Sequence, residues 1–311
     1  MNGTRIGAAY LAAPGFTQPL AEELARRGAA VNAWHDRLAL SPDPPVPAAW
    51  ALNIWRDPRT ETFASIADAA AKLRALQRNW AAYAPLHHRR AMLIAARLPH
   101  VSAKPIAFPA AAPTAPLGGW TLLDRATLLA APDCSSPFPN GEARFVEDRT
   151  GPPSRAYLKL WETLCLLRRW PQPGELCLDL GAAPGGWSWA LAQLGARVVA
   201  VDKAPLDPAV AALPGVQARR ESAFGLDPAA WRRAHGRADW LCSDVIAYPA
   251  RLLRLVRAWI DADAARHIVC TLKFQGATDH ATAEAFAAIP GAWLQHVWHN
   301  RHELMFARLA D

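Results

Sequence analysis

The sequence predicts an α/β protein. Its main part is a doubly wound, Rossmann-like sheet closed by an antiparallel hairpin, and a small α+β domain stands in front. Three observations predict this. From about residue 155, short apolar runs alternate with helical patterns, the signature of a mostly parallel sheet. The stretch LDLGAAPGGW (Leu178 to Trp187) puts a glycine-rich turn between a strand and a helix. The end of the chain, WLQHVWH followed by ELMFARL, reads as two strands around a tight turn. The boundary is expected near residue 145, giving domains 1–145 and 146–311.

In the front part, GFTQPLAEELARR (Gly15 to Arg27) reads as a helix with apolar Leu20 and Leu24 and a stop at Gly28. Val31 to Leu40 and Trp50 to Trp55 read as strands around the turn SPDPPVP. Ser65 to Tyr83 reads as a second helix, Ala91 to Leu98 as a further strand, and Pro105 to Leu117 as an extended Ala/Pro loop. In the second part, strands are expected at Glu175–Leu180, Val198–Val201, Val216–Arg219, Trp240–Ser243 and His267–Leu272. Helices are expected at Gly186–Leu194, Pro249–Ile260 and Thr278–Ile289.

Composition narrows the function. The chain has 311 residues, 52% of them hydrophobic, and a formal net charge of +7, which points to a polyanionic partner such as nucleic acid. No leader pattern opens MNGTRIGAAY, and no apolar run approaches the roughly 18 residues of a membrane span, so a soluble cytoplasmic protein is expected. The five cysteines are scattered, without C-x-x-C, so no zinc site and no disulfide framework is expected. His296, His299 and His302 recur every third residue, and side chains on a strand alternate with period two. They are therefore not expected to form a metal site.

Only Lys72, Lys104, Lys159, Lys203 and Lys273 are lysines among 34 basic residues. A retained lysine marks a place where an amine is needed, because an ammonium can be deprotonated and a guanidinium cannot.

The glycine turn lies where open α/β sheets bind ligands, at the carboxyl end of the first strand. The nicotinamide fingerprint G-x-G-x-x-G needs a glycine two residues after the first. Here Ala183 occupies that position and Pro184 follows, which disfavours a pyrophosphate. Asp202 ends the second strand, where a carboxylate accepts from ribose hydroxyls. An adenosine with a non-phosphate tail fits both features, which selects S-adenosylmethionine over a nicotinamide dinucleotide.

At this point the sequence resembles a known family, the FtsJ/RrmJ-type ribose 2′-O-methyltransferases. SRAYLKL (Ser154 to Leu160), LDLGAAPGGW, SDV (Ser243 to Val245), LKFQG (Leu272 to Gly276) and HELMF (His302 to Phe306) follow that family in order. SPF-x-x-G-x-x-RF (Ser136 to Phe145), SDVIAYP, HNRHE and APGFTQPLAEELARRG (Ala13 to Gly28) resemble its RlmM-type branch. That branch methylates a cytidine ribose of large-subunit ribosomal RNA. Its front region, a THUMP-containing RNA-binding part, is longer than the one here.

The resemblance implies a catalytic tetrad of Lys159, Asp244, Lys273 and Glu303. It also implies a cofactor site lined by Ser154, Gly181, Ala183, Pro184, Gly185, Gly186, Trp187, Asp202, Ser222 and Asp244. Ser222 stands where the family commonly has an Asp for the adenine amine, so weakened adenine recognition is expected. Trp187 reads either as a shield for the cofactor or as a core residue at a helix start.

Lys273 is expected to activate the 2′-hydroxyl. It does so either as the base or as a cation stabilising the developing alkoxide. Substrate phosphate contacts are expected from His299 and Arg301, and base stacking from Trp34, Trp50, Trp55 and Trp80. Trp240, Trp259 and Trp293 are expected in the core. The competing readings are a non-catalytic RNA-binding protein that retains the fold, a methyltransferase acting on another RNA, and a nicotinamide-dependent oxidoreductase.

Overall fold

A computed structural model describes residues 6–310. The first five residues, part of the stretch read as lacking a leader, lie outside the described residues, as does Asp311. The chain divides into two compact units, 1–105 with 112–144, and 106–111 with 145–311. The segment 106–111 joins the second unit, where Ile106 bridges to Phe145 and Phe108 stacks on Trp161 with ring centroids 5.0 Å apart. No described helix is long and apolar enough to cross a membrane.

The first unit holds strands β1 (Ala8–Ala12), β2 (Ala33–His35), β3 (Leu38–Ser41), β4 (Ala51–Arg56), β5 (Arg59–Thr62), β6 (Trp80–Ala82), β7 (Gly118–Leu122), β8 (Thr127–Ala131) and β9 (Asp133–Cys134). Its helices are α1 (Thr17–Arg26), α2 (Ile66–Leu76) and α3 (His88–Ala95). Two sheets form, in the orders β2-β3-β1-β4-β9 and β5-β8-β7-β6. Leu11, Leu38, Leu40, Trp55 and Leu129 share one cluster that joins the two sheets. Ala70, Leu73, Ala91, Ile94 and Trp120 form another under α2 and α3.

Several expectations are corrected here. Val31 to Leu40 is two strands rather than one, because Asp36 takes φ 55° and turns the chain between β2 and β3. The second helix stops at Leu76, since Gln77 is extended and β6 follows. Ala91 to Ala95 belongs to helix α3 and a turn follows, rather than a strand to Leu98: Ala91 and Ile94, three apart, are buried while Met92 and Leu93 are exposed. Trp50, Trp55 and Trp80 are at most 5% exposed and fill the core, so base stacking is open only to Trp34.

The second unit runs α4 (Tyr157–Leu167), β10 (Leu176–Leu180), α5 (Gly186–Gln193), β11 (Arg197–Asp202), α6 (Pro208–Ala211), β12 (Val216–Arg220), α7 (Pro228–His235), β13 (Ala238–Ser243), α8 (Pro249–Asp261), β14 (Ala265–Lys273), α9 (His280–Ala287), β15 (Ala292–Gln295) and β16 (Glu303–Arg308). The seven-stranded sheet has the order β12-β11-β10-β13-β14-β16-β15, parallel from β12 to β14. It closes with antiparallel β16 and β15.

The sheet order runs one way from β10 to β12 and the other way from β13 to β14. Right-handed crossovers therefore put α5 and α6 on one face and α8 on the other. Between these halves, at the carboxyl ends of β10 and β13, a crevice opens. The central strands are buried on both faces, which explains their continuous apolar runs.

Trp240 and Trp259 lie in the core, whereas Trp293 on the edge strand β15 is only half-buried. The terminal hairpin is not tight: residues 296–302 form a loop between β15 and β16. His296 and His299 are on that loop rather than on a strand. Among the described residues, no group of three or more His, Cys, Asp or Glu side chains is placed to hold a metal ion.

Candidate active site

The glycine turn is built from backbone conformations that side chains resist. Gly181 has φ +80°, and a Cβ there would stand 2.5 Å from Cβ of Val245. The turn is tied to the neighbouring strand, with Gly181 N and Ala182 N both donating to the carbonyl of Val201 at 2.8 and 3.2 Å. Ala183 N donates to Asp202 Oδ2 at 3.1 Å, and Ala204 N to its Oδ1 at 2.8 Å. Each oxygen of Asp202 thus spends one acceptor position, Oδ2 on the turn and Oδ1 on the chain just after β11, and keeps another.

The turn floors a cleft of about 410 Å³ lined by Ser154, Ala156, Asp179, Gly181, Ala182, Ala183, Pro184, Gly186, Trp187, Asp202, Asp244, Val245, Ile246 and Lys273. That size is in the range of small-molecule sites. The structure brings eight of the ten residues implied for the cofactor to this wall. Gly185 and Ser222 are not among them. Gly185, at φ +116°, faces Val210, which a Cβ would meet at 2.9 Å. Ser222 follows β12 and opens a short 3₁₀ turn away from the lining. Trp187 combines both readings: it lines the cleft, yet it is 2% exposed and its Nε1 donates to the carbonyl of Ala156 at 3.0 Å.

Asp179 joins the wall without having been singled out as a ligand group in the motif. Its Oδ2 accepts from Ser188 Oγ at 2.7 Å, while Oδ1 has no hydrogen-bond partner. Burial, with the nearby Asp244 charge adding to it, pushes this carboxyl up to about 7 against the pull of Ser188. The sequence signal was available: the residue is an acid inside an otherwise apolar buried strand, LCLDL.

At the rim, four side chains from four elements converge. Lys159 comes from α4, Asp244 follows β13, Lys273 ends β14 and Glu303 begins β16. Lys159 Nζ lies 2.8 Å from Asp244 Oδ1 and 3.0 Å from Glu303 Oε1. Lys273 Nζ lies 3.1 Å from the same Asp244 oxygen and also donates to the Asp244 backbone carbonyl. The antiparallel register pairs Lys273 directly with Glu303 across β14 and β16.

All four side chains are less than one-fifth exposed, so the two cations and two anions offset one another's burial. For Lys159, burial alone favours the neutral amine, but Asp244 and Glu303 together outweigh it and raise its pKa.

The loop ahead of Glu303 does not offer His299 to solvent as expected. His299 Nδ1 is held at 2.6 Å by the Glu162 carboxylate, and its side chain is 13% exposed. Arg301 remains exposed, and its backbone N–H donates to Glu303 Oε1 at 3.2 Å. His302 Nε2 contacts Thr278 Oγ1 at 2.9 Å.

Part of the chain is similar to known proteins. The FtsJ-like methyltransferase family model matches residues 152–280. The chain is 41% identical over 139 residues to a ribosomal RNA large subunit methyltransferase M from Halorhodospira halophila, covering 44% of this chain and 39% of that protein. It is 38% identical over 146 residues to the protein of the same name from Methylococcus capsulatus, covering 46% and 40%. The chain thus spans about two-fifths of the length of these curated relatives.

Among solved structures, it overlays on the Methanococcus jannaschii fibrillarin pre-rRNA processing protein with a TM-score of 0.35 and 17% identity. That overlay covers 45% of this chain and 67% of the other. Glu303 lies beyond the family match, while Lys159, Asp244 and Lys273 lie within it. The residues that match the FtsJ-like methyltransferase family model hold the glycine turn and three of the four clustered side chains.

Proposed function

We propose that this chain transfers a methyl group from S-adenosylmethionine to a ribose 2′-hydroxyl of RNA. The favoured substrate is a cytidine of large-subunit ribosomal RNA. The observation that carries this reading is the ring of Lys159, Asp244, Lys273 and Glu303 at the edge of the cleft, with Lys273 and Asp244 in its wall. The names of the curated relatives support ribosomal RNA as the polymer, and the resemblance to the RlmM-type branch supports cytidine.

The cleft fits the cofactor by its acids. Asp179 has a buried, unpartnered oxygen suited to an ammonium group, and Asp202 keeps acceptor positions suited to ribose hydroxyls. When bound, S-adenosylmethionine supplies an electrophilic methyl on a sulfonium. The protein's own work is to hold and prepare the oxygen that receives it. Two N–H bonds of the Lys273 ammonium are met by Asp244, through Oδ1 and the backbone carbonyl. Its third position is left for a substrate oxygen. There it steadies the developing alkoxide or, once neutral, takes the proton. Lys159 fixes Asp244 and Glu303, so the site meets the substrate already aligned.

Ile246 and Tyr248, 78% and 67% exposed, stand beyond Asp244 and offer an apolar ledge to a nucleobase. The first unit is proposed to grip RNA, in keeping with the chain's charge of +7 and the exposed Trp34. The test is mapping of ribose methylation on large-subunit ribosomal RNA incubated with the protein and with its Lys273→Ala variant. A methyl on a 2′-oxygen that depends on Lys273 is expected. Methylation of a base instead, or none, overturns the reading.

A further inference from the structure

Helix α4 carries a second buried charge one turn beyond Lys159. Glu162 is 1% exposed, inside the apolar run LWETLC. Its carboxylate points across to the loop 296–302. Oε1 accepts from Trp298 N at 2.7 Å, and Oε2 accepts from His299 N at 3.0 Å and from His299 Nδ1 at 2.6 Å. Residues three apart on a helix share a face, so one face of α4 presents both Lys159 and this triple acceptor.

The loop that Glu162 holds leads directly into Glu303, whose Oε1 must reach Lys159. Within the loop, Asn300 Nδ2 donates to the Glu303 carbonyl at 2.9 Å and Arg301 N to its Oε1 at 3.2 Å. The His299 ring lies against Phe145, with centroids 5.7 Å apart. A buried carboxylate carries a large desolvation cost unless its acceptor positions are met, and hydrogen bonds to a charged group are the strong ones. Glu162 meets that cost with two backbone N–H groups and one imidazole, all from the loop.

We infer that Glu162 is a positioning residue for the methyl-transfer site: by clamping residues 298–299 to α4 it sets the place of Glu303 against Lys159. It touches none of the reacting groups and acts through the loop. The inference rests on the proposed catalytic role of the four-residue ring, so its test has one readout that needs no activity.

The variants are Glu162→Ala and Glu162→Gln, the second keeping one acceptor oxygen, in the full chain. The first readout is the titration of Lys159 followed by ¹³Cε NMR, which the chain's five lysines keep simple. Losing the clamp removes Glu303 from Lys159, so its midpoint falls in Glu162→Ala and falls less in Glu162→Gln. A midpoint equal to the wild type in both variants overturns the inference, whatever the activity.

The second readout is steady-state methyl transfer. A fall in kcat of about 10- to 100-fold is expected, with KM for RNA and the cofactor Kd within about 3-fold, the pattern of misaligned rather than lost groups. Unchanged kcat with a raised KM also overturns it. If Glu162→Ala does not fold, Glu162→Gln carries both measurements. An inactive wild type with a fallen Lys159 midpoint in the variants sinks the proposed function and leaves the clamp standing.

Discussion

Lys273 is bound twice to the same residue: its Nζ lies 3.1 Å from Asp244 Oδ1 and donates to the Asp244 backbone carbonyl. The backbone contact survives any change of the Asp244 side chain, so that side chain is needed less to place Lys273 than to join it electrostatically to Lys159. Lys273→Ala is expected to abolish methyl transfer while leaving cofactor affinity, read by calorimetry, within a few-fold. Near-normal turnover in that variant would remove Lys273 from the chemistry.

Gly181 cannot be replaced for two separable reasons, its φ of +80° and the Val245 side chain, which a Cβ would meet at 2.5 Å. Gly181→Ala is expected to cost about 2–4 kcal/mol in denaturant unfolding, the sum of a left-handed Ala and an overpacked contact. Val245→Ala in the same chain removes the Cγ2 contact at 2.7 Å but keeps the Cβ and Cα at 2.5 and 2.8 Å, so it should recover only a small part of the loss. Full recovery would show that the backbone conformation carries no penalty.

Asp179, raised to about 7 by burial, links folding to pH and, under the proposed function, cofactor binding as well. Between its unfolded and folded values the native state binds the extra proton, so its contribution to stability declines as pH rises from about 4 to about 7 and is flat above. Asp179→Asn removes that decline and is expected to be the more stable protein at pH 8, by up to about 4 kcal/mol. A cationic ligand group favours the ionised carboxyl, so cofactor affinity should rise from pH 6 to pH 8 in the wild type and stay flat in Asp179→Asn. Equal pH profiles in the two proteins would separate Asp179 from the ligand.

Lys159 has a linkage of the same sign, displaced to alkaline pH. Its pKa is raised, so the stability it contributes is complete below its ordinary value of 10.5 and is lost as pH climbs through the higher folded value. Lys159→Met leaves Asp244 and Glu303 without their shared cation and is expected to cost about 3–5 kcal/mol at neutral pH. A thermal shift within a degree of the wild type would contradict the pairing.

Ser222 stands off the cleft lining. Ser222→Ala is therefore expected to leave cofactor Kd within about 2-fold. A larger loss, measured by the same calorimetry, would return it to the adenine site.

The parallel sheet was legible because strands buried on both faces must be apolar throughout, as in LCLDL and HIVCTL. The front unit was less so. There AMLIA is apolar on both sides yet helical, and β5, RTET, is a short exposed strand specified only by its pairing with β8. In the site, the rarity of lysine marked Lys159 and Lys273. Glu162 left no such mark, because a lone acid in an apolar helix does not reveal which loop will come to meet it. The burial of Trp50, Trp55 and Trp80 was hidden for the same reason: short irregular strands do not disclose which face is covered.

The order in which the polymer leaves the ribosome adds a last point. Because β16 runs against its neighbours, Glu303 enters at the ligand edge on a segment made after the cofactor turn and both lysines. The ring of four side chains is thus the last part of the cleft's surroundings to be completed. Under the proposed function, a chain cut short before β16 is expected to lack methyl transfer, because Lys159 then has no Glu303 carboxylate to meet it.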